Sequence, residues 1–203
     1  MGRLTRGFTR RESQPQRSWL PPGQYDVGDG WPVLTAEATP QLTTKDWTFT
    51  VDGEVERPRS WTWEQIRAVP SSRYRGDIHC VTTWSKHDVD FGGVSLDVLL
   101  DAVSVRPTAT HVLAFCHTGY TTNLPLDDVT GARAWVAFEY GGEPLPVAHG
   151  GPARLLVPHL YFWKSAKWVA GLHVLDQDEP GFWEQYGYHN HGDPWREERY
   201  RGD

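Results

Sequence analysis

Short runs of alternating apolar and polar residues, separated by turn residues, make up most of the chain. Residues 47–51 (Trp-Thr-Phe-Thr-Val) alternate and then reach Asp52-Gly53, a pattern typical of a strand that enters a turn. Other β-rich or apolar segments predict further strands at residues 76–84, 111–116, 134–140, 154–157 and 168–175. Strands are therefore expected to dominate the fold.

Two short helices are predicted between these strands. Thr62 and Gln65 have the spacing of a capping box, which predicts a helix over residues 63–68. Ser95 is the expected N-cap of a second helix over residues 96–103, in which the apolar side chains share one face. Strands with short helices between them predict the α+β class, with mixed β-sheets.

The length and composition are those of one globular domain. The chain has 203 residues, of which 38% are hydrophobic and 23% charged, and it shows no internal repeat or low-complexity linker. We expect a basic, flexible tail over residues 1–19 and a single domain over residues 20–203. The 11 tryptophans suggest a broad core beside a polar pocket, because a buried indole N–H needs a partner.

The charge pattern excludes several classes of partner. A net charge of −6 argues against general nucleic-acid binding, so any anion site must come from a local cluster of Lys and Arg. The arginines near the N-terminus are not followed by the apolar run that an export signal or a membrane span needs. We therefore expect a soluble, cytoplasmic protein with neither nucleic acid nor membrane as a partner.

Cys80 is the first candidate for chemistry. The chain has only two cysteines, too few for a disulfide scaffold, so each needs its own explanation. Cys80 is expected at or near a strand end, and Thr82, Thr83, Ser85 and Lys86 follow it. A nearby cation or a bound metal would favour the thiolate, which is the ligating form. The alternative is a buried, inert cysteine.

The segment 150–167 is the second candidate. Phosphate binding needs backbone N–H groups and cations that converge on a turn. Lys164 and Lys167 enclose two small residues, and Arg154 lies on the preceding predicted strand. Gly150 would allow close approach of the backbone to a ligand. The alternative is a solvated hairpin loop with surface lysines.

The histidines are weaker candidates. His189 and His191 have a spacing that can bind metal, but no further ligand is identifiable, and a surface tail is the alternative. His79 precedes Cys80, and neighbours on a strand face opposite sides, so we expect its ring to point away from the thiol. The chain lacks the Gly-x-Ser-x-Gly, Walker and Rossmann motifs, which removes several common enzyme classes.

Several of these segments, in this order, resemble the molybdopterin-binding oxidoreductase domain of the sulfite oxidase family. Residues 79–85 (His-Cys-Val-Thr-Thr-Trp-Ser) are similar to the metal-ligand segment of that family, and residues 150–167 to its cofactor-phosphate segment. Residues 47–55 and 92–100 resemble its early strand and the helix after the metal ligand. The likeness is closer to the bacterial protein-methionine-sulfoxide reductase catalytic subunit than to animal sulfite oxidase. It covers most of the chain and implies the sulfite oxidase catalytic-core fold.

The resemblance implies a cofactor and a set of residues that hold it. Cys80 would supply the thiolate that binds molybdenum, with the sulfurs of molybdopterin as the other soft ligands. The residues that would hold the pterin and its phosphate, or line its pocket, are Cys116, His149, Arg154, Ser165, Ala166 and Lys167.

The chain departs from animal sulfite oxidases at the substrate site. An arginine pair follows the metal-ligand cysteine in those enzymes, whereas Trp84, Ser85 and Lys86 stand here. Lys86 is the candidate catalytic cation that would attract an anionic substrate. The resemblance implies a small-molecule substrate. Because no haem domain is recognisable, it also implies an external electron-transfer partner.

The leading hypothesis is an enzyme that transfers an oxygen atom to or from a sulfite-like anion, a sulfoxide or an N-oxide. Two alternatives stay open. One is a carrier that binds molybdopterin without turnover. The other is a metal-free thiol enzyme that uses Cys80 with a histidine base.

Overall fold

The structure is a computed structural model that describes residues 19–203, so the tail expected over residues 1–19 lies outside the described residues except for Trp19. Within them the strands are β1 (Tyr25–Asp26), β2 (Thr48–Gly53), β3 (Arg59–Thr62), β4 (Ser72–His79), β5 (Trp84–Ser95), β6 (His111–Cys116), β7 (Thr121–Pro125), β8 (Trp135–Tyr140), β9 (Glu143–Pro144), β10 (Arg154–Leu156) and β11 (Val169–Leu175). The α-helices are α1 (Trp63–Arg67), α2 (Leu96–Val103), α3 (Leu126–Val129) and α4 (Phe182–Gln185).

The described strands form two mixed sheets, which confirms the predicted α+β class. One sheet has the order β1-β5-β8-β10, with β4 also paired to β5 and β9 to β8. The other has the order β3-β2-β11-β6-β7. In the first sheet β1 runs parallel to β5, and in the second β2 runs parallel to β11, while the other pairs are antiparallel.

Both predicted helices form where their capping residues place them. The Thr62 side chain accepts a hydrogen bond from the Gln65 backbone, and the Gln65 side chain accepts one from the Thr62 backbone, as a capping box requires. Ser95 caps α2 by accepting a hydrogen bond from the Asp97 N–H. The apolar face of α2 is buried, as predicted.

The apolar side chains of the core form two clusters, and β8 contributes to both. Val136 and Phe138 belong to the larger cluster, which contains side chains from both sheets. The neighbouring Trp135 and Ala137 belong to the smaller cluster, because successive strand residues face opposite sides of a sheet. Cys80 lies in the smaller cluster and Cys116 in the larger one.

The predicted strand 76–84 is two strands joined by a tight turn. β4 ends at His79 and β5 begins at Trp84. The Cys80 N–H donates to the Trp84 carbonyl (2.8 Å), and the Thr83 N–H donates to the Cys80 carbonyl (3.0 Å). Thr83 has φ +75°, a left-handed conformation that a β-branched residue adopts rarely. The turn places Cys80 at a strand end.

The C-terminal segment wraps back onto the sheets after α4. His191 Nε2 lies 3.0 Å from Asp128 Oδ2, and His191 Nδ1 lies 2.9 Å from Glu198 Oε2. His189 Nδ1 lies 3.5 Å from the same Glu198 oxygen. The two histidines therefore contact carboxylates, and no group of three or more potential ligands in residues 19–203 is arranged to hold a metal ion. Among the helices of residues 19–203, none has the length and hydropathy of a membrane span.

Candidate functional site

A cavity of about 280 Å³ lies beside the turn that carries Cys80. Its volume is near the lower end of the range for small-molecule sites, roughly 300–1,000 Å³. Most of the residues predicted to bind the cofactor line it together: Cys80, His149, Arg154, Ser165, Ala166 and Lys167. The structure thus brings a segment near residue 80 and the segment 149–167 to one site.

The thiol of Cys80 is buried and has a hydroxyl beside it. Its Sγ lies 3.2 Å from Thr82 Oγ1. Burial raises the pKa of Cys80, while the Thr82 hydrogen bonds and the charges of Arg199 and Lys167 act in the opposite direction. A bound metal would favour the deprotonated form of such a thiol.

Arg154 is a buried cation at the start of β10. Its side chain is 1% exposed, and its guanidinium donates to the carbonyls of His149 (2.7 Å) and Ser165 (2.5 Å). Its Cζ lies 3.9 Å from the centre of the Phe162 ring. Burial lowers the pKa of Arg154 to about 9. Among residues 19–203, no carboxylate lies within ion-pair distance of it, so its charge is available to an anion.

Lys167 supplies a second cation to the cavity. Its Nζ donates to the carbonyls of Leu34 (2.8 Å) and Ala148 (2.9 Å), which leaves one of its three N–H groups for a ligand. Burial, followed by the charge of Arg154, lowers the pKa of Lys167 to about 8. Lys164 does not share this role, because its ammonium group is fully buried and lies 2.7 Å from Glu184 Oε1.

Ser165, Ala166 and His149 frame the two cations. Ser165 Oγ accepts a hydrogen bond from the Val157 N–H (2.9 Å), so this hydroxyl fixes the loop. The His149 ring stacks on Trp31 at a centroid distance of 3.7 Å. Burial and the nearby cations lower the pKa of His149 to about 4, which keeps the ring neutral near pH 7.

Two predicted site residues do not line the cavity. Cys116 is buried at the end of β6, and burial raises the pKa of its thiol. Lys86 is 9% exposed, and its Nζ donates to the Gly28 carbonyl at 2.9 Å. Because Lys86 does not line the cavity, its position gives no support to a role in attracting substrate. Both assignments stay predictions.

The walls of the cavity are largely aromatic, and apart from Trp84 the sequence analysis did not single out these residues. Rings from distant parts of the chain meet here: Trp31, Trp84, Tyr120, Phe162, Trp163, Trp168, Trp183 and Tyr188. The high tryptophan content was the only signal of this wall. Glu37, the only carboxylate among the described lining residues, was also missed, and its Oε2 accepts a hydrogen bond from Thr118 (2.8 Å).

The donors around the cavity suit an anionic group that also carries a metal with sulfur ligands. A thiol is a soft ligand, which suits a redox metal with sulfur ligands. Arg154 and Lys167 offer positive charge without a carboxylate partner in the described part of the chain, which suits a phosphate. The aromatic walls suit a flat ring system.

Comparisons with known proteins point to the same chemistry. The family model described as "Oxidoreductase molybdopterin binding domain" matches residues 36–183. The "Uncharacterized oxidoreductase YuiH" of Bacillus subtilis (strain 168) is 41% identical over 199 residues, which cover 97% of this chain and 98% of that protein. The "Protein-methionine-sulfoxide reductase catalytic subunit MsrP" of Gluconobacter oxydans (strain 621H) is 28% identical over 194 residues, which cover 84% of this chain and 61% of MsrP.

A solved structure shares the fold. The sulfane dehydrogenase SoxCD from Paracoccus pantotrophus superposes with a TM-score of 0.64 and 25% sequence identity. The match covers 68% of this chain and 40% of the SoxCD chain. The chain thus spans less than two thirds of the length of both MsrP and the SoxCD chain.

Proposed function

This chain belongs to the family of oxidoreductases with a molybdopterin-binding domain, and we propose that Cys80 binds the molybdenum and that the enzyme removes an oxygen atom from a small sulfoxide or N-oxide. One observation carries the proposal. The Cys80 thiol and two cations without a carboxylate partner in the described residues, Arg154 and Lys167, line the same cavity.

Different residues of this chain would bind different parts of the cofactor. Cys80 would bind the metal, and Arg154 and Lys167 would bind the phosphate. When bound, the cofactor supplies the two-electron oxygen-atom transfer, and the protein supplies orientation, electrostatics and access. The backbone carbonyls of His149 and Ser165 hold the Arg154 guanidinium in a fixed orientation. The side chain is therefore ordered before phosphate binds, and binding costs less conformational entropy.

The surroundings of Cys80 favour a neutral substrate over sulfite. Of the three residues that replace the arginine pair, Ser85 lies 2.8 Å from His79 Nδ1, and Lys86 donates to the Gly28 carbonyl. Only Trp84 lines the cavity. With Arg154 and Lys167 assigned to the phosphate, no further lysine or arginine among the described lining residues is left for an anionic substrate. A sulfoxide or N-oxide needs no such cation, and its apolar groups can pack on the aromatic wall.

The reaction also needs a source of electrons. Removal of the oxygen from a sulfoxide gives a sulfide and water and consumes two electrons and two protons. We propose that an external electron-transfer partner supplies the electrons. The cytoplasmic location expected from the sequence stays a prediction.

The structure gives less support to the metal-free thiol hypothesis. Such an enzyme needs a base within hydrogen-bonding reach of the thiol. The described neighbour of Cys80 Sγ is the Thr82 hydroxyl, whereas His79 faces Ser85 on the other side of the strand. The carrier hypothesis differs from the leading one only in turnover, so it is tested by activity.

The metal content of Cys80→Ser tests the proposed ligand. We expect stoichiometric molybdenum and pterin in the wild type made in a host with pterin synthesis, and at least about tenfold less molybdenum in the variant, because a metal ligand must be deprotonated and a hydroxyl loses its proton far less readily than a thiol. Elemental mass spectrometry measures the metal. Cys116→Ser is measured beside it and is expected to keep its molybdenum, since Cys116 is also buried but does not line the cavity; an equal loss in both variants would mean that the loss is not specific to Cys80. Wild-type protein without metal, made beside a molybdenum enzyme that does load, contradicts the proposal.

The substrate preference of the loaded enzyme tests the oxygen-atom transfer. With a reduced dye as electron donor, we expect turnover of dimethyl sulfoxide and methionine sulfoxide. We expect kcat/KM for sulfite oxidation with a dye as acceptor to be at least about tenfold lower, since no cation is left to bind the sulfite anion and a hydrogen bond to a charged group is worth roughly 1.5–3 kcal/mol. Faster oxidation of sulfite contradicts the neutral-substrate assignment. Bound molybdenum without turnover of any of these compounds supports the carrier.

A further inference from the structure

Arg199 contacts the turn that carries Cys80 from the far end of the chain. Its Nη1 donates to the Val81 carbonyl (2.9 Å), and its Nη2 donates to the Pro22 carbonyl (3.2 Å). We propose that Arg199 is a positioning residue that holds the Cys80 turn, and through it the bound metal. The part of this inference that concerns the metal rests on the proposed function.

Arg199 is itself held firmly in place. Its side chain is only 14% exposed, and its Cζ lies 5.1 Å from the centre of the Tyr161 ring. Its backbone N–H donates to Asp203 Oδ2 (3.0 Å), and its carbonyl accepts from the His189 N–H (3.1 Å). An arginine fixed at both backbone and side chain loses little entropy when it binds a carbonyl, so the contact to Val81 contributes to order in the turn.

The Cys80 turn needs such support from outside. Its Thr83 has φ +75°, and a strained backbone persists only when the surroundings hold it. Gln24 Nε2 donates to the Cys80 carbonyl (3.1 Å), while Arg199 binds the next carbonyl along the chain. Two side chains from opposite ends of the chain thus fix consecutive carbonyls of the turn. Both lie outside residues 36–183, which match the family model.

Amide hydrogen exchange of the metal-free protein tests the structural half of the proposal. We expect Arg199→Ala to speed exchange in the peptide covering residues 80–84 about tenfold, because a charged hydrogen bond to the turn is lost. Arg199→Lys keeps the charge but lacks the two-pronged guanidinium. Its exchange rate is expected to lie between those of the wild type and Arg199→Ala. Arg201→Ala is the matched control. It removes the same charge two residues away, where Arg201 Nη2 donates to the Glu184 carbonyl (3.2 Å).

Metal retention tests the functional half on the loaded full-length protein. We expect Arg199→Ala to lose molybdenum about tenfold faster on dialysis and to shift the absorption band of the thiolate–molybdenum bond, with Arg201→Ala unchanged. If residues 80–84 exchange at the same rate in Arg199→Ala and Arg201→Ala, the proposal is overturned, whether or not the protein binds metal. Faster exchange with unchanged retention and absorption also overturns it, because Arg199 would then act on folding alone. Wild-type protein without molybdenum refutes the proposed function and the metal half, while exchange still decides the positioning of the turn.

Discussion

Lys164→Met is expected to lower the free energy of unfolding by about 3–5 kcal/mol, because it leaves a buried carboxylate without its cation. The side chains of Lys164 and Glu184 are 0% and 1% exposed, and Nζ lies 2.7 Å from Oε1. Burial lowers the pKa of Lys164, and Glu184 opposes this shift by favouring the charged form. The variant retains the Trp163 and Thr122 hydrogen bonds to Glu184 Oε1, which soften the loss without supplying a charge.

The loss is expected to reach the cavity as well. Lys164 Nζ also donates to the carbonyls of Asn123 (2.8 Å) and Asn190 (2.7 Å), so it joins β7 to the C-terminal segment. Trp163, whose Nε1 donates to Glu184 Oε1 (2.9 Å), lines the cavity. A change at Lys164 therefore alters both the stability of the chain and the position of an aromatic wall.

Urea titration of the metal-free protein, followed by tryptophan fluorescence, measures the effect of Lys164→Met. Arg106→Met is the control, because Arg106 and Glu56 form an ion pair (3.3 Å) with side chains 47% and 62% exposed. Breaking an exposed pair is expected to cost less than about 1 kcal/mol. The double variant Lys164→Met/Glu184→Leu is expected to recover part of the loss, by roughly 0.5–3 kcal/mol of coupling. Equal costs for Lys164→Met and the control contradict this account of the buried pair.

The sequence predicted secondary-structure elements well where local interactions determine them. It predicted them less well where pairing between distant strands determines them. The bounds of α2, Leu96–Val103, follow from its cap and its apolar stripe, which are both local. Most of β5 was missed, since no strand was predicted directly after residue 84, and Gly92 and Gly93 lie within it although glycine weakens a strand interior. A Cβ on Gly93 would lie 2.2 Å from the Val136 carbonyl, so that glycine permits close approach of β8. This reason for a glycine inside a strand is visible only in the tertiary structure.

The candidate site shows the same difference between what local sequence predicts and what only the fold reveals. Cys80, Arg154 and Lys167 belong to short motifs, so their sequence context was enough to propose them. Trp31 and Tyr188 come to the cavity from segments that carry no motif, and only the fold brings them together. Lys164 and Lys167 have similar sequence contexts, but only the structure shows that Lys164 is bound to a buried carboxylate.

Arg154→Met is expected to weaken cofactor retention about 10- to 100-fold, because a charged hydrogen bond to the phosphate is worth roughly 1.5–3 kcal/mol. The free energy of unfolding of the metal-free protein is expected to change by less than about 2 kcal/mol. Two opposing effects produce this small change. The variant removes a buried charge that has no carboxylate partner in the described residues, but it also removes the hydrogen bonds to the His149 and Ser165 carbonyls. His149 and Ser165 line the cavity, so we expect water to replace the guanidinium there.

Stability and cofactor retention are therefore expected to separate at Arg154, whereas Lys164→Met is expected to change both the stability of the chain and the aromatic wall of the cavity. Pterin and molybdenum content after dialysis, measured beside urea titration of the metal-free protein, tests this separation. Arg154→Lys is expected to retain part of the affinity, since an ammonium group keeps the positive charge but lacks the planar, five-donor geometry of the guanidinium. Arg75→Met, at an arginine side chain that is 76% exposed, controls for the loss of one positive charge. Retention equal to that of Arg75→Met means that Arg154 does not bind the cofactor, and Lys167 would then be the only described cation facing the phosphate.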